Sequence, residues 1–144
     1  MLSQVRSENV VRLHFSSQTK KWFYLAMELC NGGDLDMIRK IHGGSFPEDQ
    51  ARAMLRQIIK GMVDLKNAKI IHRDLKLENI ILHFPNLPSQ FSQIKSYIQA
   101  FDCLSQEVTL KVADLGLART LQEGQEASTC CGTYLYMAPE VFFK

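Results

Sequence analysis

Residues 70–82 read IIHRDLKLENIIL, from Ile70 to Leu82, and the rest of the chain takes its sense from them. Two short apolar runs, Ile70-Ile71 and Ile80-Ile81-Leu82, flank a charged segment, which is the pattern of strand, loop and strand. Buried runs at both ends would hold such a loop rigid. Within it stand His72, Arg73, Asp74, Lys76, Glu78 and Asn79. Asp74 offers a carboxylate that can accept a proton from an alcohol. Lys76, two residues on, points the same way in extended backbone and can neutralise a phosphate. Asn79 supplies a neutral oxygen suited to a hard cation such as magnesium. The plainer alternative is a polar loop joining the two strands of a hairpin, which assigns these side chains no chemistry.

The bulk properties narrow the classes. A length of 144 residues suits one domain, and 46% apolar residues suits a globular core. A net charge of +2 is too small to argue for nucleic acid or an anionic membrane. No apolar run approaches a membrane span, and MLSQVRSENVV lacks the charged-then-apolar shape of a signal peptide. Cys30, Cys103, Cys130 and Cys131 do not form paired metal-ligand spacings. The adjacent Cys130 and Cys131 admit a redox-sensitive pair; reduced thiols of a cytoplasmic or nuclear protein are the favoured reading.

Upstream, Val11, Leu13 and Phe15 alternate as in a half-buried strand, Lys20-Lys21 reads as a turn, and Trp22 to Leu29 reads as a second strand. Gly32-Gly33 ends that strand, and Asp34 can cap a helix with Leu35, Ile38 and Ile41 on one face. Pro47, Glu48 and Asp49 start a long helix. Ala51, Leu55, Ile58, Met62 and Leu65 give it one buried stripe, read as core rather than as a ligand groove. Downstream, Pro85 and Pro88 stop the strand after Leu82, and Ser89 can cap a further helix. Phe91, Ile94, Ile98, Phe101 and Leu104 share a face of that helix, to dock on its own domain or to meet a partner; the former is favoured. Leu110 to Gly116 is a strand ending in a carboxylate, Asp114, and a glycine turn. Ala118 to Thr133 is polar and glycine-punctuated, as a mobile loop would be.

Three strings fall in a family order: His72-Arg73-Asp74-Leu75 with Asn79 matches H-R-D-L-x-x-x-N, Asp114-Leu115-Gly116 matches D-F-G with leucine for phenylalanine, and Ala138-Pro139-Glu140 matches A-P-E. On these the chain resembles the eukaryotic protein kinases. The resemblance implies an α+β, protein kinase-like two-lobed fold, here truncated. It divides the chain into a small-lobe remnant over 1–29, a hinge over 30–35, and the large lobe over 36–144 as far as A-P-E, with an insertion at 83–108. The glycine-rich loop, the strand lysine, its helix glutamate and the arginine that pairs with Glu140 are then expected outside this sequence.

The same resemblance implies roles, with ATP and Mg2+ as cofactors. Asp74 would orient the attacking hydroxyl, Lys76 would stabilise charge on the transferred group, and Asn79 and Asp114 would hold magnesium. Backbone groups of Glu28 and Cys30 would meet adenine, with Met27 at the back of the pocket, Asp34 near the ribose and Glu78 in the nucleotide-contact set. An ordinary strand-to-helix turn fits the composition at 27–35 as well. Leu115 would fill an apolar spine with Leu2, Leu13 and His72. Lys76 and Gly132-Thr133 resemble serine/threonine kinases rather than tyrosine kinases. Thr129, or its neighbour Ser128, would take an activating phosphate and Arg73 would pair with it; as a bare polar loop residue Thr129 would do neither. The partners implied are protein substrates, an upstream activating kinase and a partner at the insertion. The insertion and the run Cys131 to Glu140 are similar to the autophagy-initiating kinases. The rival class is a non-catalytic, pseudokinase-like binding module or a truncated gene product, although every chemical residue of the motifs within the span is present.

Overall fold

The computed structural model of the chain describes residues 5–86, 96, 98–104, 107–120 and 131–143. Two strands, β1 (Leu13–Gln18) and β2 (Phe23–Met27), pair antiparallel, and Trp22 N–H donates to Thr19 Oγ1 across the turn at 3.0 Å. The hairpin predicted around Lys20-Lys21 is therefore present. Its alternation yields less burial than expected. A register shift between Leu13 and Phe15 interrupts the period, and the strands pack chiefly on each other. Phe15, Trp22, Phe23, Tyr24 and Leu25 are accordingly all exposed.

Asp34 caps α1 (Leu35–Ile41) as its sequence context predicts: Oδ1 accepts the Met37 N–H at 2.8 Å. Leu35 and Ile38 are buried, whereas Ile41, in the last turn, is exposed. Gly32 has no room for a side chain, since a Cβ there would stand 2.6 Å from Leu82 Cβ. Its N–H donates to Leu82 O at 2.8 Å, and Leu82 N–H returns a bond to Gly33 O at 2.8 Å.

The long helix, α2 (Glu48–Asn67), presents a different face from the one its apolar spacing suggests. Met54, Gly61 and Leu65 are buried, Ile58 and Met62 are half-buried, and Ala51 and Leu55 face outward. The turn is set by Gly61. A Cβ there would lie 2.3 Å from Asn9 O, so only a glycine lets the two backbones touch and rotates 54, 61 and 65 inward.

The strand–loop–strand of 70–82 exists, as β3 (Ile70–Ile71) and β4 (Ile80–His83), with a single 3-10 turn at Leu77–Asn79. These strands do not pair with each other. β4 pairs antiparallel with β5 (Thr109–Val112), and β3 with β6 (Arg119–Thr120). The plain hairpin reading is thereby excluded. Ile38, Leu65, Ile80, Leu82, Leu110 and Val112 form the fully buried centre, with Val10 bridging to Val112.

The segment expected to be an insertion, 83–108, docks on its own domain where it is described. Phe101 is buried edge-on against Phe84, Phe46 and His42, and His42 Nε2 bonds to Ile98 O at 3.1 Å. Ile98 and Phe101 are thus spent internally, as the favoured reading has it; Leu104 is exposed. Ser89, Phe91 and Ile94 lie outside the described residues. Among the described residues no helix is long and apolar enough to cross a membrane. Helices and small antiparallel sheets together make the class α+β, as expected.

Candidate active site

The loop after β3 is built on His72, which is fully buried. Asp74 N–H donates to His72 Nδ1 at 3.2 Å, and Nε2 lies 2.8 Å from Ala113 O. Because Nδ1 accepts, the ring proton sits on Nε2 and is donated to Ala113; the two contacts select one neutral tautomer. Arg73 between them takes a left-handed conformation, φ 69°. Its carbonyl oxygen would lie 2.4 Å from a Cβ at Gly132, φ 119°, so glycine permits the segment after 131 to lie flat on the loop.

That close approach delivers Thr133 to Asp74. Thr133 N–H and Oγ1–H both donate to Asp74 Oδ1, at 2.8 and 2.7 Å. Lys76 Nζ donates to Thr133 Oγ1 at 2.9 Å and stands 3.2 Å from Asp74 Oδ2. Asn79 Nδ2 donates to Asp74 O at 2.8 Å and to Oδ2 at 3.3 Å. The Thr133 hydroxyl foremost, with Lys76 and the Thr133 N–H adding to the pull, holds the Asp74 carboxyl below its ordinary range against the opposing effect of burial. Asp74 is therefore an anion at neutral pH, fit to receive and orient a hydroxyl.

Asn79 and Ala113 meet at the end of the β4–β5 ladder. Ala113 N–H donates to Asn79 O at 2.8 Å, and Asp114 is the next residue. Asp114 is left-handed, φ 55°, an uncommon state for a non-glycine residue, and its Oδ1 accepts Gly116 N–H at 3.3 Å. The amide nitrogen of Asn79 is spent on Asp74, which leaves Oδ1 as the atom that could face a cation. One neutral and one anionic oxygen fit a magnesium ion that takes its remaining ligands from phosphate and water. Among the described residues no group of three His, Cys, Asp or Glu could hold a metal ion.

The stretch joining β2 to α1 is tied down by its own charges. Glu28 N–H donates to Arg12 O at 2.9 Å, and Glu28 Oε1 accepts Arg12 N–H at 2.6 Å. Its other oxygen lies 3.1 Å from Nζ of the buried Lys111. Burial first, then the Glu28 charge, pushes the Cys30 thiol up to about 11 despite Lys111, so Cys30 is a packing residue rather than a nucleophile. Met27 is exposed at the end of β2. One Asp34 oxygen is committed to the α1 cap. Glu78 is exposed in the 3-10 turn, its charge acting on Lys40 of α1.

Leu13 and Leu115 are half-buried and His72 is fully buried; Leu2, Ser128 and Thr129 lie outside the described residues. Three structural partners escaped the sequence reading: Asn9, Gln57 and Lys111 are all drawn into the interior or onto its edge. Their only signal was a polar side chain inside an apolar stretch.

A family model of the protein kinase domain matches residues 1–144. The chain is 37% identical over 145 residues to serine/threonine-protein kinase ULK1 of Homo sapiens, an alignment covering 100% of the chain and 12% of that protein. It is 35% identical over 145 residues to the probable serine/threonine-protein kinase fhkC of Dictyostelium discoideum, covering 100% and 21%. Serine/threonine-protein kinase ATG1a of Arabidopsis thaliana is 35% identical over 143 residues, covering 98% and 19%. The chain thus spans between 12% and 21% of the length of these relatives.

Proposed function

The chain belongs to the protein kinase domain family, and from that premise we propose that it carries the chemical centre of a serine/threonine kinase, moving the γ-phosphoryl group of ATP to hydroxyls of protein substrates. The observation that supports this most directly is the Thr133 hydroxyl, held between Asp74 Oδ1 at 2.7 Å and Lys76 Nζ at 2.9 Å. An aliphatic alcohol sits there with its proton toward the carboxylate and its lone pairs toward the ammonium. A substrate serine or threonine needs the same two neighbours.

Phosphoryl transfer asks for positioning and charge neutralisation rather than covalent chemistry from the protein. Asp74, ionised and braced by Asn79, accepts the hydrogen bond of the incoming hydroxyl and aims its lone pair. With a lowered proton affinity it orients more than it abstracts, and it takes the proton as the new bond forms. Lys76 faces the developing negative charge. Asn79 Oδ1 and the Asp114 carboxylate would hold Mg2+, which when bound neutralises the phosphates. Backbone groups of Glu28 and Cys30 would receive the adenine, with Met27 behind it and Asp34 and Glu78 toward the sugar. Phosphorylation of Thr129 or Ser128 by an upstream kinase, answered by Arg73, would order the segment leading to Thr133, and a cytoplasmic or nuclear setting fits this role.

The test is transfer from γ-labelled ATP to a peptide array by the full-length protein containing this chain. Labelling of serine and threonine, abolished by Asp74→Asn, is expected. Predominant tyrosine labelling would overturn the hydroxyl assignment, and nucleotide binding without any transfer would make the domain a binding module.

A further inference from the structure

The strand that leads to Asp114 has its outer edge covered partly by the backbone of residues 9–11 and partly by side chains. β4 satisfies one edge of β5. The opposite edge presents Val108 O, both backbone groups of Leu110 and both of Val112, in a region where Val108, Leu110 and Val112 are buried. Val112 N–H donates to Asn9 O at 2.9 Å and Val112 O accepts Val11 N–H at 2.8 Å. Leu110 O accepts Asn9 Nδ2 at 2.8 Å. The remaining groups fall to Gln57 of α2: its Oε1 accepts Leu110 N–H at 2.9 Å and its Nε2 donates to Val108 O at 3.2 Å. Oε1 also receives Asn9 Nδ2 at 3.3 Å.

Gln57 thus behaves as one peptide unit of a missing strand. It is the only contact by which α2 grips the β5 backbone among the hydrogen bonds of the described residues. Without it, a buried N–H and C=O would each lose their partner, and each such loss costs about 1–3 kcal/mol. A short strand can escape that cost by shifting along β4 or by twisting outward to water. Either movement displaces Asp114, two residues beyond Val112. Ala113, between β5 and Asp114, bonds through its O to His72 Nε2 at 2.8 Å and through its N–H to Asn79 O at 2.8 Å, so a shift of β5 reaches Asp114 by straining these two bonds.

We propose that Gln57 is a positioning residue for the magnesium-bearing carboxylate: through β5 it sets where Asp114 stands relative to Asn79. The proposal rests on the reading of Asp114 and Asn79 as the metal pair. The experiment measures Mn2+ binding to the full-length protein loaded with a non-hydrolysable ATP analogue, by electron paramagnetic resonance, with no turnover involved. Gln57→Met, similar in length but without donor or acceptor, is expected to raise the Mn2+ Kd on the order of tenfold, the low end of what loss of outer support costs a metal site. Metal-free nucleotide affinity should stay at the parent value. Gln57→Glu keeps the acceptor for Leu110 N–H and loses only the donation to Val108 O, so a rise of about threefold is expected. A fall in melting temperature with a parent-like Mn2+ Kd in Gln57→Met overturns the proposal. If that variant does not fold, a parent-like Kd in Gln57→Glu does the same. Asp114→Asn serves as the reference: an unchanged Mn2+ Kd there removes the metal reading itself, and the positioning role with it.

Discussion

Thr133 Oγ1 donates to Asp74 Oδ1 at 2.7 Å and accepts from Lys76 Nζ at 2.9 Å, so one hydroxyl joins residues 59 positions apart to the two charges of the loop. This contact is what draws the segment after Gly132 onto the loop after β3, and it is also the leading cause of the lowered Asp74 proton affinity.

Thr133→Val removes the hydroxyl while keeping the shape. A hydrogen bond to a charged group contributes about 1.5–3 kcal/mol, so kcat should fall roughly 10- to 100-fold, with KM for ATP unchanged. Thr133→Ser should keep most of the rate. Steady-state kinetics on the full-length protein check this; a Val variant as fast as the parent would show that the Thr133 hydroxyl plays no part in ordering the site.

Asp74 also gives a pH signature. Its folded proton affinity lies below the unfolded one, so its ionised form stabilises the fold above the ordinary carboxylate range, and that contribution disappears as pH falls through the folded value. The stability difference between parent and Asp74→Asn, taken from urea melts, should be level from about pH 8 down to about pH 5 and shrink below about pH 4. A difference that grows on acidification would reverse the sign and refute the bonding scheme.

Much of the site is legible in sequence because its chemistry is compressed: polar residues between two apolar runs force a loop with buried ends. Strand pairing is not, since nothing local in Ile70-Ile71 tells it to choose Arg119-Thr120 over Ile80-Ile81. The α1 cap is legible because Gly32-Gly33-Asp34 can only end one element and start another. Helix α2 misleads because it carries two apolar lines, and the choice between them is made by Gly61 and the backbone of Asn9, a tertiary contact. Lys111 in an apolar strand reads as solvent-facing; its partner Glu28 lies 83 positions away and 3.1 Å distant in space. The docking of the insertion turns on Phe101 finding Phe84 and Phe46, which helical spacing alone does not disclose.

Large apolar side chains remain exposed around the site. Leu135 is 93% exposed and Phe143 is 83% exposed, with Leu55, Ile59 and Val63 forming an outward line on α2. Residues 1–144 expressed alone should therefore bind a hydrophobic dye and self-associate. Leu135→Lys with Ile59→Lys should reduce both and leave the melting temperature within a few degrees, because little burial is lost. Light scattering and dye fluorescence report the outcome; a monomeric, dye-silent parent would mean this surface is covered in solution.

Gly61→Ala sets two effects of opposite sign against each other. In an exposed helix interior alanine gains about 1 kcal/mol over glycine. Here the added Cβ would sit 2.3 Å from Asn9 O and 3.2 Å from Val112 Cγ2, and the nearer atom is backbone. Relief requires α2 to retreat from the 9–11 segment or to rotate. Asn9 O accepts Val112 N–H at 2.9 Å, so the retreat strains the same edge of β5 that Gln57 holds. Overpacking of this kind costs about 1–3 kcal/mol, and with backbone as the obstacle the upper half of that range applies. The net expectation is destabilisation of about 1–2 kcal/mol, read as a lower urea midpoint with an unchanged slope. Ala53→Gly, on the same helix and only half-buried, is the companion measurement: it should destabilise by about 1 kcal/mol through propensity alone. If Gly61→Ala instead stabilises the protein, the approach of Asn9 to α2 is not what orients the helix, and the inward turn of Met54 and Leu65 needs another cause.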